Sequence, residues 1–397
     1  MVSALFDPIF GADRVAARLD DASWVAALVA VEVALAHAAA EHGVIPVRHA
    51  ELIETAASAL DVDPPALGRA AVHGGNPVIP LVRLLRRAAG EAGPSVHPGA
   101  TSQDVMDTAA VLLTGWAGEI VLEDLRGAAG AAAVLAAAHR DTPTIARTLG
   151  QQAVPTTFGL VAAGWCAGLD RARHRLGQVL ATLPVQLGGA AGTLGALHPH
   201  GPAVAASFAR RLRLADVPPW HTERTRIGEL AGALAVAAGA CAKPATDVVL
   251  LAGTEIGEVS EAAPGDSSSM SHKRNPIAAV TARACARRAP GLAVVLLAAD
   301  HEHQRAAGAW HAEWQTLGDL LRATGGAAAR LRTCLDGLAV HPDRMSANLA
   351  VSGTDAGTGH ATDLVDRMLA DRMLADRIPA DRMPADRMPA DRMPADR

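Results

Sequence analysis

An all-α fold, made of long helices gathered into a bundle, is what this sequence predicts, and three observations predict it. Hydrophobic residues make up 50% of the chain while aromatics are only 3%, with no Tyr and 4 Phe. Ala, Leu, Val and Arg dominate, a composition that favours helix. Five stretches, 104–139, 155–183, 226–261, 275–302 and 313–335, are long, with few breakers. They are apolar on most sides, so each needs burial on more than one face. A single monomer layer would not hide them, and bundling of helices across subunits is the expectation.

Each element has its own local reason. Val25 to His42 is apolar nearly all round, as a buried helix would be. Gly74, Gly75, Pro77 and Pro80 break that pattern before Leu81 to Ala89 resumes it. A loop, Gly93 to Ser102, carries His97, Pro98 and Gly99 ahead of the first long helix. Pro155 and Pro276 stand where helices would begin, since proline is tolerated in a first turn. From Asp366 the chain repeats in fives: DRMLA, DRMLA, DRIPA, then DRMPA three times and DR. Five is neither the helical nor the strand period, so no face of the repeat is expected to stay buried. Pro379, Pro384, Pro389 and Pro394 bar a helix from its later part. The tail from about Ala380 is expected to be disordered, low-complexity sequence.

Composition also excludes functions. A net charge of −5 offers no basic field for nucleic acid. Met1 to Phe10 lacks the basic start and apolar run of a secretory signal. Apolar stretches such as Ala131 to Ala138 are too short and too rich in Ala to span a bilayer, so no membrane partner is expected. Cys166, Cys241, Cys285 and Cys334 are far apart with no CxxC pair. That spacing argues against zinc and disulfides and fits reduced thiols in a cytoplasmic protein. No GxxxxGK[ST] loop, and no GxGxxG after a strand, supports nucleotide binding.

Four polar loops interrupt this apolar chain. GDSSSMSHKRNP, Gly265 to Pro276, sets serines, Lys273, Arg274 and Asn275 between Pro264 and Pro276. A ligand with carboxylates would find several donors there. A serine in such a loop serves as a base only where cations and backbone N–H groups stabilise its alkoxide. HPGATSQD, His97 to Asp104, offers an imidazole, two hydroxyls and an amide before a long helix. Thr101 or Ser102 would cap that helix, and a helix N-terminus also suits a carboxylate. GGAAGT, Gly188 to Thr193, is a small-residue loop whose backbone would approach a ligand closely. RTLGQQAVPTTFG, Arg147 to Gly159, leads into the helix expected from Pro155.

Taken together, these segments resemble the fumarase/aspartase superfamily. DSSSMSHKRNP at Asp266 to Pro276 is similar to its GSSxMPxKxNP signature. GGNPVIPLV at Gly74 to Val82, HPGATSQDVMDTA at His97 to Ala109, PWHTERTR at Pro219 to Arg226 and RAAGAWHAEWQTL at Arg305 to Leu317 extend the match. They resemble the branch that holds the bacterial 3-carboxy-cis,cis-muconate cycloisomerases of protocatechuate (β-ketoadipate) catabolism. The resemblance runs from about Leu5 to Leu349. It implies a small N-terminal helical domain (1–102), a central long-helix domain of the fumarase/aspartase type (103–349), and a vestigial C-terminal segment with the repeat tail (350–397). It also implies a homotetramer, active sites shared by three subunits, a small tricarboxylate substrate, and no cofactor or metal.

The resemblance gives residues their roles as well. Ser267 would be the base or acid, with Lys273 and Asn275 holding the carboxylate whose charge grows. Ser268 and Met270 would shape the lid. His97, Thr101, Ser102 and Gln103 would contact other substrate carboxylates, and Arg224, Arg226 and His221 are further candidates. Trp310 and Trp314 are expected to pack, and Glu313 and His311 to orient neighbours. Many superfamily lyases carry RTHxQ, where this chain has Leu149. Expelling hydroxide or an amine needs a proton donor. Opening a lactone expels a carboxylate, whose ordinary pKa is about 4 and which needs none. Leu149 therefore suits a cycloisomerase, with Gln151 and Gln152 left to donate hydrogen bonds. Two alternatives stay open: a fumarate-releasing lyase such as adenylosuccinate lyase, and an inactive oligomeric member. Asp266 and Ser271, in place of the signature's Gly and Pro, favour the latter, as does the repeat tail.

Overall fold

The computed structural model describes residues 4–298, 301–354 and 356–377, with side chains through Met373. Short helices α1 (Asp7–Phe10) and α2 (Asp13–Ala17) precede α3 (Asp21–Glu41), α4 (Val47–Ser58), α5 (Pro64–Ala71) and α6 (Val78–Ala88). Asp20 caps α3 by accepting from the Ser23 N–H at 2.7 Å. The long helix α7 (Ser102–Ala138) then leads into the hairpin of β1 (Pro143–Thr148) and β2 (Gln151–Thr157). α8 (Phe158–Ala181), α9 (Gly201–Leu212), α10 (Thr225–Leu251), β3 (Val259–Ser260), α11 (Ile277–Leu297) and α12 (Ala309–Asp336) follow. β4 (Ala339–Val340), which pairs antiparallel with β3, α13 (Pro342–Val351) and α14 (Ala361–Arg377) complete the described chain.

Helices α7, α8, α10, α11 and α12 pack on one another as the central bundle, and α3 lies against α7, α4 and α9. Their contact faces are rich in Ala, so backbones approach closely. On α7, Ala128, Ala129, Ala132 and Ala136 are all 0% exposed. Leu125, Leu169, Leu176, Leu234 and Leu331 fill the space between the helices. Glu261, in the segment after β3, caps α11 by accepting from the N–H groups of Ala278 and Ala279 at 3.1 and 2.8 Å. Pro276 precedes the first residue of α11, as its chemistry predicts.

The structure corrects four expectations. Pro155 does not start a helix: it lies in β2 opposite Ile145, and α8 begins at Phe158, capped by Thr157. The stretch expected to be helical to Glu261 leaves the helix at Leu251, and β3 lies beyond it. Three helices, α3, α7 and α10, do reach the length and hydropathy of a membrane span. The α7 span is 78% buried and those of α3 and α10 are 44% and 39% buried, and Glu32, Asp104, Asp107 and Asp124 are buried along α3 and α7.

The fourth correction concerns the pentads. The first two, with Leu rather than Pro, are helical within α14, which packs on α8. Arg140 makes a two-pronged ion pair with Asp366 at 2.6 and 2.5 Å, Thr362 donates to Asp141, and Arg372 pairs with Asp170 at 2.9 Å. Val365 is fully buried. Each five-residue repeat turns about 140° round a helix, so the docked side is a helical stripe that uses different positions of the two repeats: Val365, Met368 and Leu369 pack on the core and Arg372 reaches Asp170. The tail expected to be disordered from Ala380 lies outside the described residues.

Candidate active site

Three loops meet on one carboxylate at the start of α7. Asp104, 1% exposed, accepts from the N–H groups of Thr101, Gly188 and Gly189, each at 2.9 Å, and pairs with His221 Nε2 at 2.6 Å. Asp104 is the third residue of α7, so its charge also complements the helix N-terminus. Gly189 has φ +70°, and a Cβ there would lie 2.8 Å from the Gly99 carbonyl oxygen. The small residues of GGAAGT thus permit the approach of another protein loop. Arg305 braces the same junction, donating to Gln103 Oε1 at 2.9 Å and to the carbonyls of Gly189 and Ala190 at 2.7 and 2.8 Å.

The sequence-derived anion contacts divide at this junction. His97 has φ +62° and places Nδ1 2.7 Å from Glu32 Oε1. Burial disfavours its charged form, but the hydrogen bond and charge of Glu32 outweigh this and raise its pKa. Thr101 and Ser102 are half-buried at the helix start. Gln103, by contrast, has its amide engaged: Nε2 donates to Asp107 and to the His221 carbonyl, and Oε1 accepts from Arg305. Arg224 is 2% exposed and held between Asp107, at 2.8 and 3.2 Å, and Glu313. It also lies 4.7 Å from the centre of the Trp220 ring. His221 is committed to Asp104. Gln103, Arg224 and His221 therefore build the floor of the junction rather than present free donors.

Trp310 packs edge-on to Trp314 at 4.8 Å and donates from Nε1 to Asp107 at 2.9 Å, so it packs and orients at once. Glu313, expected to orient a neighbour, holds Arg224 and also meets His301 Nε2 at 3.1 Å. Arg226 lines a cavity of about 30 Å3 with Asp107, Thr114, Arg224, Glu313 and Trp314. That is room for about two waters, far less than a tricarboxylate needs.

Ser267 occupies a separate loop whose ends are tied together. Gly265 and Asn275 exchange backbone hydrogen bonds at 2.8 and 3.1 Å, and Asn275 Nδ2 donates to the carbonyls of Gly265 and Asp266 at 3.3 and 3.1 Å. Within the loop, Ser267 Oγ accepts from the N–H groups of Ser269 and Met270 at 3.4 and 3.2 Å. Those dipoles are what an alkoxide at Ser267 would require. Ser268, Met270 and Lys273 are exposed. Asn275 fixes the neck of the loop.

Gln151 and Gln152 are exposed at the tip of the β1–β2 hairpin. Leu149 and Gly150 make its turn with φ +52° and +80°, and Leu149 is fully exposed. The hairpin is anchored by Arg147, whose two pronged nitrogens meet the buried Glu258 at 2.6 and 3.1 Å. Asn348 of α13 donates to the same Glu258 at 2.7 Å.

The three clusters are not together within one chain. α10 starts just after Arg224, beside the Asp104 junction, and ends on the side of β3, Glu258 and the hairpin. Its 27 residues span about 40 Å at 1.5 Å per residue. The loop of Ser267 follows β3 and opens into α11 at that far end. His97, Thr101 and Ser102 thus occupy one end of the bundle, and Ser267, Lys273, Gln151 and Gln152 the other.

A lyase family model matches residues 6–291. The chain belongs to the fumarase/aspartase superfamily of lyases. It is 45% identical over 359 residues to a 3-carboxy-cis,cis-muconate cycloisomerase of Bradyrhizobium diazoefficiens, covering 88% of this chain and 79% of that protein. It is 43% identical over 368 residues to a nitrosuccinate lyase of Streptomyces davaonensis, covering 88% and 78%. Its fold is similar to the crystal structure of the 3-carboxy-cis,cis-muconate lactonizing enzyme of Pseudomonas putida. That TM-score is 0.83 at 36% identity, over 94% of this chain and 89% of that one.

In this member of the superfamily, sequence reasoning passed over Glu32, Asp104, Asp107 and Glu258 as functional supports. Glu32 did leave a signal: it is the one acidic residue between Val25 and Ala40. A charge buried in such a helix needs a partner. The four cysteines are buried, and no disulfide joins them among the described residues. Burial pushes the Cys241 thiol up to about 12 and that of Cys285 to about 11, so neither is a nucleophile near neutral pH.

Proposed function

We propose that this protein interconverts 3-carboxy-cis,cis-muconate and 4-carboxymuconolactone, an intramolecular lyase reaction of protocatechuate catabolism. The observation that carries the chemistry is Ser267, whose Oγ already accepts two backbone N–H groups in the same loop as the exposed Lys273. In the lactone-opening direction, Ser267 as alkoxide takes the proton α to a carboxylate. The electron pair moves into that carboxylate, giving an aci-carboxylate dianion held by Lys273. It then returns to form the C=C bond as the ring C–O bond breaks, and the ring oxygen departs as a carboxylate. Closure is the reverse: a carboxylate oxygen adds to the alkene and Ser267 gives its proton to the α carbon.

The departing group supports this substrate over hydroxide- or amine-releasing lyases. A carboxylate, with a pKa of about 4, leaves without protonation, and Leu149 at the hairpin tip supplies no proton donor. The relatives named as cycloisomerases point the same way. His97, Thr101 and Ser102 would receive the substrate's other carboxylates, with Gln151 and Gln152 donating from the hairpin. Since these groups lie at opposite ends of one chain, the reading requires subunits to share each site, and a homotetramer is the proposed assembly. Val134, Val236 and Val294 are exposed hydrophobics on that bundle, as is Leu149 on its hairpin, which supports association. Buried thiols outside any disulfide fit a cytoplasmic location.

A second reading is favoured by the similarity to the nitrosuccinate lyase. Elimination from a nitro-substituted succinate also expels a weakly basic anion, which the absence of a histidine at Leu149 allows. Turnover separates the two. Loss of the diene's ultraviolet absorbance with 3-carboxy-cis,cis-muconate is expected, falling about 100-fold or more in Ser267→Ala. Lys273→Ala should lose most activity with the fold intact. Unchanged rates in Ser267→Ala would refute the assignment, and turnover of nitrosuccinate alone would replace the substrate.

A further inference from the structure

Glu32 stands in the middle of α3, 1% exposed; among the described residues its Oε2 has no hydrogen-bond partner and its Oε1 is held by His97 Nδ1 alone, at 2.7 Å. His97 is fixed in a left-handed backbone conformation, φ +62°, in the loop that leads to Thr101 and Ser102. That conformation is unfavourable for a residue with a Cβ and persists only where contacts hold it. Its Nε2 has no protein partner among the described residues.

The protonation logic follows from this geometry. With Nδ1–H donated to Glu32, a neutral ring would present Nε2 as a lone pair and repel a carboxylate. A charged ring presents Nε2–H as a donor. A bare carboxylate at Glu32 would be a buried, half-satisfied anion, and such a group demands a counter-charge. The charged groups facing His97 are Glu32 from α3 and Asp104 from α7, which favour its charged form, and Arg86 from α6, which opposes it. Burial also opposes the charge, and the Glu32 hydrogen bond with the two carboxylates outweighs burial and the guanidinium together.

We propose that Glu32 is a positioning residue that keeps the His97 ring oriented and charged, and so makes Nε2–H a receptor for a substrate carboxylate. The kinetic part rests on the proposed function; the protonation part does not. Glu32→Gln keeps the shape and hydrogen bond while removing the charge. It should raise KM for 3-carboxy-cis,cis-muconate about tenfold or more near neutral pH, the worth of one charge-assisted hydrogen bond, with a much smaller change in kcat. A histidine with a raised pKa is charged below it, so binding in the wild type should weaken as pH rises through that value. In Glu32→Gln this limb should move to lower pH, and Glu32→Asp should move it back.

Nuclear magnetic resonance titration of His97, assigned by its loss in His97→Gln, reads the same shift without turnover. A lower His97 pKa in Glu32→Gln than in the wild type supports the inference even if the substrate reading fails. An unchanged titration, or an unchanged KM and pH profile, overturns it. Should Glu32→Gln not fold, the wild type decides: a His97 pKa below the ordinary histidine value refutes the proposal, and one above it, retained in Glu32→Asp, supports it.

Discussion

Asp104→Asn probes the junction at the start of α7 with almost no change in volume. Four donors converge on the carboxylate. The Gly188 N–H and His221 Nε2 use Oδ1, and the Thr101 and Gly189 N–H groups use Oδ2. Asparagine offers one accepting oxygen and one NH2. Whichever way the amide turns, at least one backbone N–H faces another donor, and a second clash follows where the amide faces Thr101 and Gly189 or His221 keeps its Nε2–H. A buried donor left unsatisfied costs about 1–3 kcal/mol, so the loss is about 1–6 kcal/mol. That is a large share of the roughly 5–15 kcal/mol that holds a typical protein folded. Urea denaturation followed by far-ultraviolet circular dichroism, wild type beside variant at one protein concentration, measures it. A loss below about 0.5 kcal/mol, the size of an ordinary surface change, would refute the reading of Asp104 as the tie between the loops.

Two further outcomes are expected. Glu261→Ala removes the cap from α11, and should cost about 1 kcal/mol while speeding hydrogen exchange across 265–276; unchanged exchange there would dissociate the cap from the Ser267 loop. The α14 dock should be pH-dependent. The hydrogen bond from Arg140 holds the Asp366 carboxyl below its ordinary value of 3.8. A depressed carboxylate stabilises the docked state above that value and loses the effect as pH falls through its folded one. Exchange protection of 361–377 should therefore exceed that of Asp366→Asn at neutral pH, the two converging below pH 3.8. Equal protection at neutral pH would count against the ion pair.

Long helices were legible in this chain because an apolar run of Ala and Leu without breakers has few other ways to bury itself. Pro276 marked a helix start correctly, whereas Pro155 did not. Proline is equally acceptable in a short hairpin, and local chemistry does not choose between them. The polar loops were legible as motifs, but motif residues look alike whether their donors are free or already bound. Gln103 and Arg224 read as ligand contacts until Asp107, Glu313 and the His221 carbonyl are seen to engage them. Those partners lie up to 118 residues away, beyond any local pattern. Over two turns of the pentad, helix propensity and a partner surface on α8 outweighed the mismatch of period.

The Asp104 junction also bears on the order in which the chain folds. Three of its four donors come from positions 84, 85 and 117 residues further along, so two large chain loops must close before the carboxylate is satisfied. Such contacts yield nothing until their closure entropy has been met. Helices α3 and α7 can form from neighbouring sequence, but the loop between them, with His97, Thr101 and Ser102, has no fixed shape until α8, α9 and the start of α10 have arrived. A nascent chain that stops short of His221 would carry every residue of HPGATSQD and still lack the finished junction.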